Sequence, residues 1–508
     1  MDEVIQWVRT AVSACTNAAS EENKKEWFST LEQVYCEFSE NEQEYARMVI
    51  KNLEIADRIF VLSCFQQYME EKDFETDLIN SILEGEFDCY TGSLLEYNVM
   101  YYIKGRYEQK RLLHRQNVER WEKRLNISYP YLELRNRNQK RIVIITEALL
   151  EVTNAPTQVV LNHAYVLQEI LGYEVIIFMC PTGMQRARSM WYLQAVPRSV
   201  PCASPMMKIN YKGRGFIAYQ INMTETADKE YAMMFNIIHD WNPLFVLNMG
   251  IRNPVADLAR SFTTVVSREL STGGAVSEAQ ILLRGRKNDE ATETEYARVI
   301  GDRQKQVFIE EKMPVLAVAS GVKYMRSELG LPEDKFLIAI VGNRLENDID
   351  KECVSVMEEI IKNLPECAFV LIGADTYVRS SFSNPVFENS IFFLGWREDL
   401  MKTYTVIDLY MNPKRNGGGW SSAMALTAGI PVVTLPDCDV AYNVGDDFIV
   451  PTYEAMAEMI CRCAEDKEFY AEKQKQARAL AAKNSEEKLV QYVKNVLEKI
   501  MDAMESEA

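Results

Sequence analysis

Apolar residues change their spacing twice along this chain, and each change marks a different kind of structure. Over the first 138 residues, Tyr45, Val49, Leu53, Ala56 and Phe60 recur at helical intervals, glycines are few, and no strong strand run occurs. The segment Lys104 to Leu125 is basic and helical in pattern, with Leu112, Leu113, Val118 and Trp121 available for an apolar side. This texture predicts an all-helical accessory domain over 1–138, closed by the polar break Asn136-Arg137-Asn138-Gln139-Lys140.

From Arg141 onward, short apolar runs alternate with helix-length segments: Ile142–Thr146, Glu174–Met179, Phe216–Ile221, Leu244–Met249 and Thr264–Ser267. Runs apolar at consecutive positions suit strands buried on both faces, as in a parallel sheet between helices. A charged stretch around Arg284–Lys312 reads as a surface excursion before a hinge. A second alternating set follows at Phe336–Val341, Ala368–Ile372, Ile391–Leu394, Val406–Met411, Pro431–Leu435 and Phe448–Val450, and an Ala/Lys/Glu-rich amphipathic helix pattern closes the chain. The fold class expected is α/β, with two Rossmann-like domains at 139–312 and 313–475, a terminal helix at 476–508, and the helical domain in front.

Composition narrows the function. The 508 residues carry Lys+Arg 56 against Asp+Glu 74, a net charge of −18, which argues against nucleic acid as a general partner. No apolar run is long enough for a transmembrane segment, and Met1-Asp2-Glu3 lacks a signal pattern. The 11 cysteines have no framework spacing and read as reduced thiols, so a cytoplasmic location is expected. Three histidines make a multi-histidine metal centre unexpected.

The segment from Tyr410 to Thr434 concentrates the chemistry. It reads as strand, glycine loop, short helix, strand. Gly417, Gly418 and Gly419 can take positive φ and let a ligand approach the backbone, Ser421 or Ser422 can cap the following helix, and Gly429 can end it. Amides at that helix start would suit a phosphate, although a glycine loop can also be a mere tight turn.

The order Asn412-Pro-x-Arg-x-Gly-Gly-Gly-x-Ser, short helix, Gly-Ile-Pro-Val-Val-Thr434 resembles the donor-site segment of GT-B glycosyltransferases, in particular bacterial members of the group 1 type. Val341-Gly342-Asn343-Arg344-Leu345 follows the first strand of the last domain, where the family places a basic residue against the donor diphosphate. Phe393-Leu394-Gly395-Trp396-Arg397-Glu398-Asp399-Leu400 is similar to the family loop whose backbone meets the nucleotide base. The resemblance spans roughly 140–500, is specific for 336–450, and leaves 1–138 uncovered.

It implies a metal-independent glycosyltransferase that needs no cofactor and takes a nucleotide-diphospho-sugar, with UDP-sugar the expected donor and a protein or glycan the acceptor. The helical domain would recognise the acceptor or hold a protein partner. Arg344 would stabilise the leaving diphosphate. Gly342, Asn343, Gly395, Trp396, Asn416, Gly417, Gly418, Gly419, Ser421, Ser422 and Asp439 would border the donor.

The chain departs from the pattern at three places. Two family glutamates stand eight positions apart, the second holding the donor ribose; here these positions are Asn416 and Met424. Methionine accepts a hydrogen bond only weakly. Asn154 stands where related sequences carry a histidine before Ala-Pro-Thr, and it inherits the candidate catalytic position. These losses keep a second function open, a catalytically inactive GT-B-like subunit beside an active transferase; a GT-B-like sugar-nucleotide epimerase is a distant third. His163 and His239 read as packing or helix-end residues, the pairs Asp348/Asp350 and Asp437/Asp439 as chance Asp-x-Asp, and the basic helix as a solvated face paired to acidic neighbours. The Asn248–Pro254 stretch ends a strand and could line the acceptor side.

Overall fold

The computed structural model describes the chain except residues 18, 151–153, 182–189, 194, 196–205, 222–227, 251, 269, 271–275, 286–289, 374–377, 416, 437 and 506–508. Two compact units are present: Met1–Glu310 with Val496–Ala508, and Glu311–Asn495.

The first unit begins with seven helices: α1 (Asp2–Thr16), α2 (Glu21–Glu37), α3 (Glu40–Lys51), α4 (Ile55–Tyr68), α5 (Lys72–Glu84), α6 (Cys89–Tyr102) and α7 (Tyr107–Leu125). Polar residues fix several starts. Ser20 accepts from the Asn23 amide, Ser39 and Glu42 form a capping box, and Asp88 accepts from the amides of Tyr90 and Thr91. Trp7, Phe28, Tyr35, Phe65 and Phe74 build an aromatic core, and the Trp7 indole donates to the Leu31 carbonyl at 2.8 Å.

Helix α7 is a solvated basic face only in part, with Arg115, Lys123 and Arg124 exposed. Lys110, Arg111 and His114 are buried, and Val118, Trp121 and Leu125 share a core with Val143, Ile145 and Phe178 of the adjoining sheet. The basic side chains find partners remote in sequence: Arg111 meets Glu278 at 3.0 Å and Arg124 meets Asp228 at 2.7 Å. A short stretch around Trp191 also plugs the helical core. Trp191 is buried there, the Tyr192 hydroxyl accepts from Lys24 at 2.6 Å, and Asn98 brackets the Ala195 backbone.

The sheet of this unit has eight strands: β1 (Asn138–Thr146), β2 (Glu174–Met179), β3 (Met206–Tyr211), β4 (Arg214–Gln220), β5 (Pro243–Met249), β6 (Val265–Arg268), β7 (Ile281–Arg284) and β8 (Lys305–Phe308). Their order is β3-β4-β2-β1-β5-β6-β7-β8, parallel except for the β3–β4 pair. Lys212 and Gly213, both at positive φ, form that hairpin turn. Helices α8 (Ala155–Tyr165), α9 (Asp228–Trp241), α10 (Pro254–Leu258) and α11 (Glu290–Val299) complete the α/β part. Strands β3, β7 and β8 extend beyond the pattern read from sequence. β7 ends where the expected surface excursion begins and β8 lies within it, so that stretch contributes the edge strand of the sheet.

The second unit holds β9 (Phe336–Gly342), β10 (Cys367–Gly373), β11 (Ile391–Gly395), β12 (Leu409–Asn412) and β13 (Val432–Thr434), all parallel, in the order β11-β10-β9-β12-β13. Its helices are α12 (Leu345–Asp348), α13 (Lys351–Asn363), α14 (Leu400–Thr403), α15 (Gly419–Thr427), α16 (Asp439–Val444), α17 (Tyr453–Glu465) and α18 (Lys467–Ala481); the residues of α19 (Glu486–Glu505) from Val496 onward group with the first unit. The expected strand at Phe448–Val450 is a single bridge from Ile449 to Thr434. The strand order reverses between β9 and β12. The carboxyl ends of these two strands form the switch point where open α/β sheets leave a crevice.

Candidate functional site

Both principal motifs of the second unit end at that switch point. Strand β9 delivers Gly342, the exposed Asn343 and Arg344; β12 delivers the glycine run. A Cβ on Gly373 would strike the Gly342 carbonyl, so the two neighbouring strand ends approach as closely as glycine allows.

Gly418, at φ +82, is the N-cap of α15, and among the described residues no side chain caps the helix. Ser421 and Ser422 therefore do not cap it. They lie inside the first turn and donate backwards, Ser421 to the Gly418 carbonyl at 3.1 Å and Ser422 to the Gly419 carbonyl at 2.9 Å. The first backbone bond of the helix runs from the Ser422 amide to the Gly418 carbonyl. The amides of Gly419, Trp420 and Ser421 thus lie in the turn that has no intrahelical acceptor, which makes it an electropositive end. Gly429, at φ +80, ends α15 after nine residues, with the Ile430 amide closing back on the Ala425 carbonyl.

The glycines differ in what they face. A Cβ on Gly417 would sit 3.4 Å from Arg344 Nη2, so that guanidinium lies beside the loop. Arg344 is about half exposed, at 51%, and 3.9 Å from Asp348. A Cβ on Gly418 would instead meet Arg415 Nη2 at 2.8 Å and Asn412 Oδ1 at 2.9 Å beneath the loop. Gly418 is thus required by internal packing as well as by its φ. A Cβ on Gly419 would meet Asn443 Nδ2 at 2.6 Å and approach Asp439, which opens α16 against α15.

Arg415 is the buried centre of this arrangement, and its importance was hidden in the sequence motif. Its guanidinium donates to Asn412 Oδ1 at 2.9 Å, Asp348 Oδ2 at 2.9 Å, the Val341 carbonyl at 2.7 Å and the Tyr410 hydroxyl at 3.1 Å. One cation thereby joins the ends of β9 and β12. Tyr410 passes the contact on to Ser421 at 2.9 Å.

Gly395 ends β11 at φ +64, and Trp396 beyond it is 56% exposed. Arg397 and Asp399 pair at 3.0 Å beneath this loop and both engage the Tyr324 hydroxyl. Met424 packs against the apolar cluster on the sheet's face. Asn416 and Asp437 lie outside the described residues. Asp348 is engaged by Arg415, and Asp350 caps α13 by accepting from the Cys353 amide.

In the first unit, Asn154 is the N-cap of α8, accepting from the Thr157 amide at 3.3 Å. His163 is fully buried between the Val159 carbonyl, 2.8 Å from Nδ1, and Arg268, 2.7 Å from Nε2. Burial, with the Arg268 charge adding to it, lowers its pKa to about 3, so the ring is neutral, donating to Val159 and accepting from Arg268. His239 stacks on Tyr129 at 4.3 Å. The polar side chains of the 248–254 loop turn inward: Asn248 donates to Ser267 and Asn253 caps α10. Among the described residues, no helix is long and apolar enough to cross a membrane.

Residues 335–466 match the family model Glycosyl transferases group 1. No curated protein sequence matches the chain. A solved structure of a mutant O-GlcNAc transferase from Thermobaculum terrenum is similar over 99% of both chains, with 15% identity and a TM-score of 0.54. Anabaena HepE in complex with UDP covers 71% of this chain and 100% of its own, at 13% identity and TM-score 0.49. The two Rossmann-like sheets, the helices before them and the first of these likenesses establish the GT-B fold, and residues 335–466 carry a glycosyl transferases group 1 domain.

Proposed function

We propose that this chain transfers a sugar from a nucleotide-diphospho-sugar to an acceptor, without a metal ion. The observation that carries the reading is the placement of Arg344 beside Gly417, at the mouth of an uncapped helix start on the switch point. A diphosphate there would meet a guanidinium and up to three backbone amides. Those groups would stabilise charge on the departing diphosphate as the sugar–oxygen bond breaks, and they are held in place before it breaks. Gly395 and Trp396 would border the base, and Asp439 and Asn343 the rim of the same pocket. Asn416 and Asn154 remain contacts proposed from the family pattern; Asn154 holds the α8 cap through Oδ1, so it would act through its amide NH2. UDP-sugars are the first donors to test, with a protein or glycan as acceptor.

The test is incubation of the purified chain with radiolabelled nucleotide sugars and a panel of protein and glycan acceptors. Label transferred to an acceptor supports the reading. Donor binding without transfer or hydrolysis favours the second reading, an inactive subunit partnering an active transferase. That second reading has its own observation: Met424, at the position of the family's ribose carboxylate, is turned to apolar packing.

A further inference from the structure

We propose that Arg415 is the positioning residue of the phosphate site, setting Arg344 and the first turn of α15 in register with each other. The inference deepens the donor-site reading and rests on it. Arg415 touches no ligand position itself: its side chain is 3% exposed and lies under the glycine run.

Its contacts run in two directions. Towards Arg344, it donates to the Val341 carbonyl, three residues before Arg344, and to Asp348 Oδ2, whose other oxygen lies 3.9 Å from Arg344 Nη2. Towards α15, it holds Asn412 and the Tyr410 hydroxyl; Tyr410 bonds Ser421 Oγ, which in turn bonds the Gly418 carbonyl. The chain Arg344, Asp348, Arg415, Tyr410, Ser421 therefore spans both halves of the site. A planar guanidinium can serve these acceptors at once, whereas a lysine ammonium, a point donor on a flexible stem, cannot. Gly342 and Gly418 both leave room for this side chain, since a Cβ on either would fall within 2.8 Å of an Arg415 nitrogen. The same side chain thus accounts for two glycines of the motifs.

The experiment is calorimetric titration of UDP and of uridine into the full chain and into Arg415→Lys, Tyr410→Phe, Arg344→Ala and the Arg344→Ala/Arg415→Lys pair, each checked for an intact fold by melting. Arg415→Lys is expected to weaken UDP by about tenfold or more and Tyr410→Phe by about threefold to tenfold, uridine being unchanged in both. The part of the Arg415 effect that runs through Arg344 gives a non-additive cycle, with the double variant losing less than the sum of the two single losses. Tyr410→Phe removes one hydroxyl and keeps the ring, so it preserves the test should Arg415→Lys fail to fold. Folded variants that bind UDP as the wild type does, or equal losses for UDP and uridine, overturn the positioning role. If the wild type binds UDP and Arg344→Ala does too, the donor-site reading fails separately. A wild type that binds no nucleoside diphosphate overturns both.

Discussion

His114 makes the sharpest test of how the helical segment joins the first sheet. Its ring lies fully buried between Glu96, 2.8 Å from Nδ1, and Asp257, 2.5 Å from Nε2, with Arg252 at 2.6 Å on Glu96. Burial alone would lower its pKa, but the Glu96 charge and the hydrogen bonds the ring donates to both carboxylates outweigh burial and raise it from 6.5 to about 9. The same contacts hold Glu96 at about 2 against its own burial. A raised folded-state value means the imidazolium's contribution is fully present below pH 6.5 and lost as pH rises through about 9. A shift of that size corresponds to about 3 kcal/mol. His114→Gln keeps hydrogen-bonding capacity but takes the imidazolium from both buried carboxylates, leaving Glu96 on Arg252 alone and Asp257 with no ion-pair partner among the described residues, a change that costs about 3–5 kcal/mol at pH 6. Urea unfolding of both proteins from pH 6 to 10 reads the effect. The gap between them is expected to narrow by about 2–3 kcal/mol across that range, because the wild type loses its charge and the variant has none to lose. A gap that stays constant, or widens, refutes the assignment of a charged His114.

Other predictions bear on the second unit. Gly418→Ala forces φ +82 on an alanine and drives its Cβ onto Arg415 and Asn412, so a loss of about 2–4 kcal/mol is expected by denaturant unfolding, and an unchanged midpoint would remove the packing argument. Met424→Glu places a carboxylate where the family holds the donor ribose; UDP affinity measured by calorimetry is expected to rise about tenfold, and no gain would mean that the pocket has been reshaped around the methionine.

Much of the fold was legible because buried parallel strands are apolar at every position. Residues 142–145 and 368–372 could be read without knowing their neighbours, and both are buried strands. Strand β8, Lys-Gln-Val-Phe, closes a sheet edge, is only partly buried, and carries too little apolar signal to stand out from the charged residues around it. Helix α7 was harder for a different reason. Its cations pair with carboxylates as far as 167 positions away, so local spacing showed a basic helix and not the ion-pair partners that bury it. The segment from Tyr410 to Thr434 was legible as strand, glycines, helix and glycine stop, while the serines were misread as caps because Gly418 takes the cap itself. Arg415 stood in plain view in the motif, yet its role depends on Val341 and Asp348, which only the strand order brings alongside.

The proposed donor site rests on Arg344 and the start of α15. Titration of UDP and UDP-sugars into the wild-type chain and into Arg344→Ala tests it most directly. Saturable binding by the wild type and a loss of about tenfold or more in the variant are expected, with the melting temperature little changed because the side chain is half exposed. Equal affinity in the two folded proteins would contradict it.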